Sequence, residues 1–162
     1  ANFAIDEEVV PFTIGLKPYT PVVQRDDAKL DVGIVSNLST RGVVTPSNKL
    51  IAGFVITENY RRVLIRAVGP GLGGLGVGGA MADPYVTLYK GNMPIYFNGN
   101  WGERPDAAEI EQAAAQVGAF PLGAGSADAA LLVELPPGVY TAHVEAESGA
   151  GGEALVEVYR VP

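Results

Sequence analysis

Ala130-Leu131-Leu132-Val133-Glu134-Leu135-Pro136-Pro137-Gly138-Val139-Tyr140-Thr141-Ala142-His143-Val144-Glu145-Ala146 is the stretch on which the fold reading turns. After the turn, Tyr140, Ala142 and Val144 take one side of an extended chain and Thr141, His143 and Glu145 take the other. Successive strand side chains point to opposite faces, so this alternation describes a strand with one buried face. Pro136-Pro137-Gly138 reads as a tight turn that returns the chain. A second glycine-rich turn, Ser148–Gly152, leads to another apolar run over Ala154–Val161.

Working towards the N-terminus, the same grammar recurs. Tyr85–Tyr89 and Ile95–Phe97 flank Lys90-Gly91-Asn92 and read as a hairpin. Arg62–Val68 is a further strand. Leu50–Ile56 is continuously apolar, as expected of a strand buried on both faces. Leu30, Val32 and Ile34 alternate. One helix breaks the pattern. Asp106 is its predicted N-cap, with Glu109 completing a capping box. Ala107, Ile110, Ala113, Ala114 and Val117 form an apolar stripe, and Gly118 ends it. A helix so short needs a sheet to pack on. The expected fold is all-β: an antiparallel β-sandwich, jelly-roll or immunoglobulin-like, of about eight strands with one short helix.

Composition narrows the functional classes. The chain has 162 residues, of which 48% are hydrophobic and 18% charged, with a net charge of −7. The apolar content suits one packed domain. The acidic balance disfavours nucleic acid and anionic membrane surfaces as partners. No apolar run is long enough to span a membrane. Cysteine is absent, which removes disulfides, thiol nucleophiles and zinc–thiolate sites. A single histidine leaves little scope for ordinary triads or multi-histidine metal sites.

Residues 1–27 read differently, as an arm and linker ahead of a sandwich domain over residues 28–162. Val10, Phe12, Ile14 and Leu16 sit two apart, so an extended chain places all four on one face. Lys17-Pro18-Tyr19-Thr20-Pro21 is a stiff connector, because each proline fixes φ and restrains its predecessor. Residues 10–16 would span roughly 20 Å, one strand length. They are the candidate donor strand, residues 9–16, either added to a neighbouring molecule's sheet or folded back onto their own. Pro11 removes one backbone donor and suits a sheet edge. The chain opens at Ala1 rather than Met, which fits either a processed secreted chain or a trimmed one.

Several motifs have the residue types that chemistry requires. Gly69-Pro70-Gly71-Leu72-Gly73-Gly74 matches G-x-G-x-x-G, but more glycine follows where a dinucleotide site requires a helix. A crossover between sheets is the expected role. The Asn98–Asp106 loop offers oxygens for a calcium ion, although EF-hand spacing is absent. Its asparagines could equally bond their own backbone, with Trp101 covering a core edge. Carboxylates such as Asp83, Glu103, Asp128 and Glu134 show no paired arrangement for glycoside hydrolysis and are expected to face solvent. His143 is expected on the solvated face of its strand. Arg61, Arg62 and Arg66 are expected to pair with carboxylates across the sheet. Asn37-Leu38-Ser39 is a formal glycosylation sequon.

Residues 34–162 resemble a β-sandwich module that recurs, C-terminally or in repeats, in secreted and surface proteins of environmental Gram-negative bacteria. The matching stretches include Asn37–Gly42, Ile51–Ile56, Val63–Pro70, Ala82-Asp83-Pro84, Asn98–Gly102, Asp128–Val133, Leu135–Thr141 and Ala154–Tyr159. The second half is similar, more distantly, to pre-peptidase C-terminal domains, some of which bind calcium. Members usually carry Asn-Asp-Asn-Trp where this chain has Asn98-Gly99-Asn100-Trp101, so one candidate calcium ligand is missing. The resemblance implies a sandwich, secretion and no catalysis. It carries over no catalytic residue.

The resulting expectation is a non-enzymatic, extracellular or cell-surface structural subunit. It would polymerise head to tail into a fibre serving adhesion or biofilm, with Val10, Phe12, Ile14 and Leu16 as the subunit-interface anchors. No cofactor is expected. The alternative is a monomeric module that binds a glycan or calcium through the Asn98–Asp106 loop with Trp101, Tyr96 and Tyr85.

Overall fold

A computed structural model describes residues 36–149 and 151–162. The arm over residues 1–27, its anchors Val10, Phe12, Ile14 and Leu16, and the alternation Leu30, Val32 and Ile34 lie outside the described residues. The strands are β1 (Asn37–Val44), β2 (Leu50–Ile56), β3 (Arg61–Val68), β4 (Pro84–Lys90), β5 (Met93–Asn98), β6 (Ala129–Leu135), β7 (Gly138–Ala146) and β8 (Gly152–Val161). One helical turn, α1 (Pro70–Gly73), follows β3, and the helix α2 (Ala107–Gln116) precedes β6.

The strands form two antiparallel sheets, ordered β1-β8-β3-β6 and β2-β7-β4-β5. The pairing is nested: β1 with β8, β2 with β7, β3 with β6 and β4 with β5. A long antiparallel ribbon rolled on itself has this order, which makes the sandwich a jelly roll rather than an immunoglobulin fold. Lateral pairs β3–β8 and β4–β7 close each sheet.

This topology corrects three expectations. First, the chain after Pro136-Pro137-Gly138 does not fold back on β6; it crosses to the other sheet, where β7 lies. Of the described connections between consecutive strands, β4–β5 alone is a hairpin. Second, β2 is an edge strand, with Ile51 51% and Val55 62% exposed, although its sequence is continuously apolar. Third, β1 was not anticipated, because an edge strand exposed along most of its length needs no apolar alternation.

The inner core lies between the sheets. Ile65, Ala67, Val86, Leu88, Leu131, Tyr140, Ala142 and Val144 are all fully buried there. The alternation read from β7 is therefore the buried alternation. Tyr140 also locks the preceding turn, since its hydroxyl donates to the Pro136 carbonyl at 2.7 Å. Burial raises the Tyr140 pKa, with more distant tyrosines adding to the shift.

A second core lies on the outer side of the β1-β8-β3-β6 sheet. There α2 lays Ile110, Ala113 and Ala114 against Leu64, Ala130, Tyr159 and Val161. The stripe read from sequence is the face that packs. Gly118 ends the helix in a left-handed conformation, φ 72°, that a side chain would resist. The capping box does not form. Asp106 directs its carboxylate to Arg104, at 2.7 and 2.9 Å, which lowers the Asp106 pKa. Glu109 instead meets Arg62 at 2.8 Å.

Candidate functional site

The two ends of the sandwich are finished differently. At the β5/β6 end, Asn98 bridges the sheets: its Oδ1 accepts the Ala130 N–H at 3.0 Å. The Trp101 N–H donates to the Asp128 carbonyl at 2.9 Å. The β1/β2 end has no such cover among the described residues. Arg160 N–H donates to the Ser36 carbonyl, and the β1–β8 register continues from there. In an antiparallel ladder, bonded pairs alternate along the strand. Leu38, Thr40 and Gly42 therefore bond to β8, while Asn37, Ser39 and Arg41 turn their backbone N–H and C=O groups outward. Leu38, on the inward face of this strand, is 38% exposed. Leu50 and Phe54 of β2 beneath it are only partly buried. An unpaired edge beside half-covered apolar side chains is a template for another strand. The sequon Asn37-Leu38-Ser39 lies on this edge.

Several polar groups of the Asn98–Asp106 loop bond within the chain, although Glu103 is exposed. Asn98 Nδ2 donates to the Asn100 carbonyl at 3.1 Å. Asp106 is held by Arg104, as described. Trp101 is buried, and its indole N–H reaches the Gly123 carbonyl and Ser126 Oγ, both at 3.3 Å. A Cβ on Gly99 would run into the Glu147 carboxylate, so this backbone position is closely approached. Among the described residues, no three His, Cys, Asp or Glu side chains converge as a cation site would need. Trp101, Tyr96 and Tyr85 do not form one platform. Trp101 packs under α2, whereas Tyr85 stacks on Phe97, centroids 6.1 Å apart, on the outer face of the β2-β7-β4-β5 sheet. The Tyr85 pKa is raised by burial, with Glu147 and Glu145 adding to it.

That outer face is uncovered among the described residues. Ile51, Val55, Val139 and Phe97 are exposed on it. His143 is half-buried there rather than solvated. Its ring lies 4.4 Å from that of Tyr89, and Nε2 is 3.0 Å from Thr141 Oγ1. Burial lowers the His143 pKa, Lys49 lowers it further, and Glu145 opposes both.

The glycine-rich segment is the expected crossover between sheets, but a helical turn does follow its first glycine. The position a phosphate would take is filled from within. Asp128 Oδ1 accepts the Gly69 and Gly71 N–H groups at 2.8 and 3.1 Å, and Ser126 donates to Oδ2 at 2.8 Å. Asp128 is fully buried, contrary to its expected exposure.

The least expected group is Arg66. It pairs across the sheet with Glu157, as anticipated for the arginines of this strand, but both side chains are buried. Arg66 Nη1 donates to the Phe120 carbonyl at 2.8 Å, and the guanidinium lies 4.4 Å from the Phe120 ring centroid. Nε is 3.2 Å from Glu157 Oε2, within ion-pair distance but off the hydrogen-bonding direction. Tyr159 donates to the other Glu157 oxygen at 2.7 Å. Burial, that bond and the Glu157 charge push the Tyr159 pKa up to about 12. Burial also lowers the Arg66 pKa, while Glu157, Tyr159 and Asp128 resist the shift. Sequence reasoning missed this burial because nothing in Arg62–Val68 marks which arginine lies beneath the 117–122 segment.

Neither a protein-family model nor a curated protein matches this sequence. Among solved structures, the chain is similar to the pre-peptidase C-terminal domain of a collagenase from Bacillus anthracis. The identity is 11% and the TM-score 0.45, over 76% of this chain and 89% of that one. No residue role is taken from that likeness.

Proposed function

We propose that this chain is a non-catalytic extracellular structural subunit that assembles head to tail. Residues 9–16 of one copy add as a strand along β1 of the next, giving a fibre that serves surface adhesion or biofilm. The observation that carries this reading is the outer edge of β1, where Asn37, Ser39 and Arg41 offer backbone groups that no described residue pairs. Val10, Phe12, Ile14 and Leu16 have the period that would place four apolar side chains over Leu38, Leu50 and Phe54. Their burial is worth roughly 6–10 kcal/mol before ordering costs. A donor and an acceptor at different places on the same subunit make a heterologous contact, which propagates.

Light scattering with negative-stain microscopy tests the reading on the full chain and on a chain lacking residues 1–20. Filaments from the first and a folded, non-extending species from the second are expected. Normal filaments from the shortened chain, or a monomer from the full chain at high concentration, would overturn it.

A second reading is favoured by the Tyr85–Phe97 stack, half-buried at Tyr85 and exposed at Phe97, on a sheet face uncovered among the described residues. It is a monomeric module that binds a glycan by stacking aromatics on sugar faces. A glycan-dependent rise in melting temperature that Phe97→Ala abolishes would support it. A melting temperature unmoved across a panel of polysaccharides would count against it.

A further inference from the structure

On β1, the residues that bond β8 carry the inward side chains: Leu38, Thr40 and Gly42 stand opposite the core residues Val158, Val156 and Ala154. Asn37, Ser39 and Arg41 turn their N–H and C=O groups to the outer edge and carry their side chains on the other face, opposite Tyr159, Glu157 and Leu155. No described residue takes up those edge groups. Opposite residues of neighbouring strands share a face. A strand whose Val10, Phe12, Ile14 and Leu16 cover Leu38, Leu50 and Phe54 therefore brings Pro11, Thr13 and Gly15 opposite Asn37, Ser39 and Arg41, in one order or the other.

The two orders use different backbone groups. In an antiparallel pair, opposite residues at bonding positions exchange both of their hydrogen bonds. Pro11 would then face Arg41 without an N–H, leaving that carbonyl unserved and placing a proline inside a ladder. In a parallel pair, a residue bonds instead to the two neighbours of its opposite number. Asn37 is then served by Val10 and Phe12, Ser39 by Phe12 and Ile14, and Arg41 by Ile14 and Leu16. Pro11 faces away from β1, where its missing donor is not needed and where proline closes the new edge to a further strand. An unserved carbonyl costs about tenfold in affinity, more than the slight disadvantage of a parallel pair. Resting on the strand-addition reading above, we propose that residues 9–16 of one copy run parallel to β1 of the next, with Pro11 beside Asn37, Thr13 beside Ser39 and Gly15 beside Arg41.

The chain has no cysteine, so an introduced pair reports on one contact alone. Parallel addition puts Lys17 beside Val43. Antiparallel addition with Thr13 still beside Ser39 puts Val9 there, and those two donor residues lie roughly 26 Å apart in an extended strand. Val43 is 62% exposed, so its substitution leaves the core intact. Filaments of Lys17→Cys/Val43→Cys and of Val9→Cys/Val43→Cys are treated with a short bismaleimide and run on a denaturing gel. The first variant is expected to give a ladder of covalent multimers and the second none. Residue-resolved hydrogen exchange on filaments of the unaltered chain should protect the Phe12, Ile14 and Leu16 amides and leave those of Thr13 and Gly15 exchanging. A ladder from Val9→Cys/Val43→Cys, or protection at Thr13 and Gly15 in place of Phe12 and Ile14, would overturn the parallel direction while strand addition stood. A cross-link confined within one chain, uniform exchange over residues 9–16 in filaments, or no filaments at all would overturn strand addition and this proposal with it.

Discussion

The Asp128 carboxylate accepts the backbone N–H of Gly69 at 2.8 Å, joining the start of β6 to the end of β3 through a buried charge-assisted bond. The same oxygen takes the Gly71 N–H, and Ser126 serves the other oxygen. Removing the acid would leave these donors unpaired in the interior. Asp128→Ala is expected to cost about 3–5 kcal/mol in urea unfolding, and Asp128→Asn less, since the amide oxygen still accepts. A loss below about 1 kcal/mol for the alanine variant would show that the bonds are replaceable.

The Arg66–Glu157 pair behaves differently, because each charge justifies the other. Glu157→Gln leaves the guanidinium buried without its counter-charge and should cost about 3–5 kcal/mol. Arg66→Met/Glu157→Gln should be less destabilising than that single change, as removing both charges also removes their desolvation. Chemical denaturation of the three proteins decides this, and a double variant as damaged as the sum of its parts would contradict it.

His143 sets an acid-side dependence. Its folded pKa lies below the ordinary value because burial disfavours the cation. The unfolded chain therefore takes up the proton more readily as pH falls. The stabilisation is complete above about pH 6.5 and declines as pH drops through that value. The effect stays below about 1 kcal/mol, since water screens a half-exposed ring. His143→Phe keeps an aromatic ring beside Tyr89 without the proton. Its stability should fall less than that of the parent between pH 7 and 5.5, and parallel curves would exclude His143 as the source.

Proline at the open edge offers a local test of strand addition. Ser39 turns its N–H away from β8, so Ser39→Pro removes a donor that no ladder among the described residues uses. Monomer stability should change by no more than about 1 kcal/mol, while filament extension stops. Filaments that grow at the parental rate on the Ser39→Pro subunit would move the acceptor edge elsewhere.

Much of the architecture was legible in the chain because burial imposes periodicity. Tyr140, Ala142 and Val144 alternate since one face of β7 meets the core. Ile110, Ala113 and Ala114 recur at helical spacing since one face of α2 meets a sheet. Less of the candidate site could be read. The backbone of β1 offers bonds through groups that every residue possesses, so Asn37, Ser39 and Arg41 carry no signature of it. β2 reads as doubly buried because Ile51 and Val55 are apolar, yet they face outward. Asp128 and Arg66 look like ordinary surface charges, because burial of a single polar group depends on partners distant in sequence.

The sequence by itself determined that β7 extends and α2 coils, and which side of each is apolar, because those properties are local to a few consecutive residues. Only the tertiary structure decided that the strands nest as a jelly roll, that Asp128 and Arg66 are enclosed, and that β1 stands at the edge of its sheet among the described strands. Pairing between distant strands depends on how whole sheets stack, and no short-range pattern encodes it.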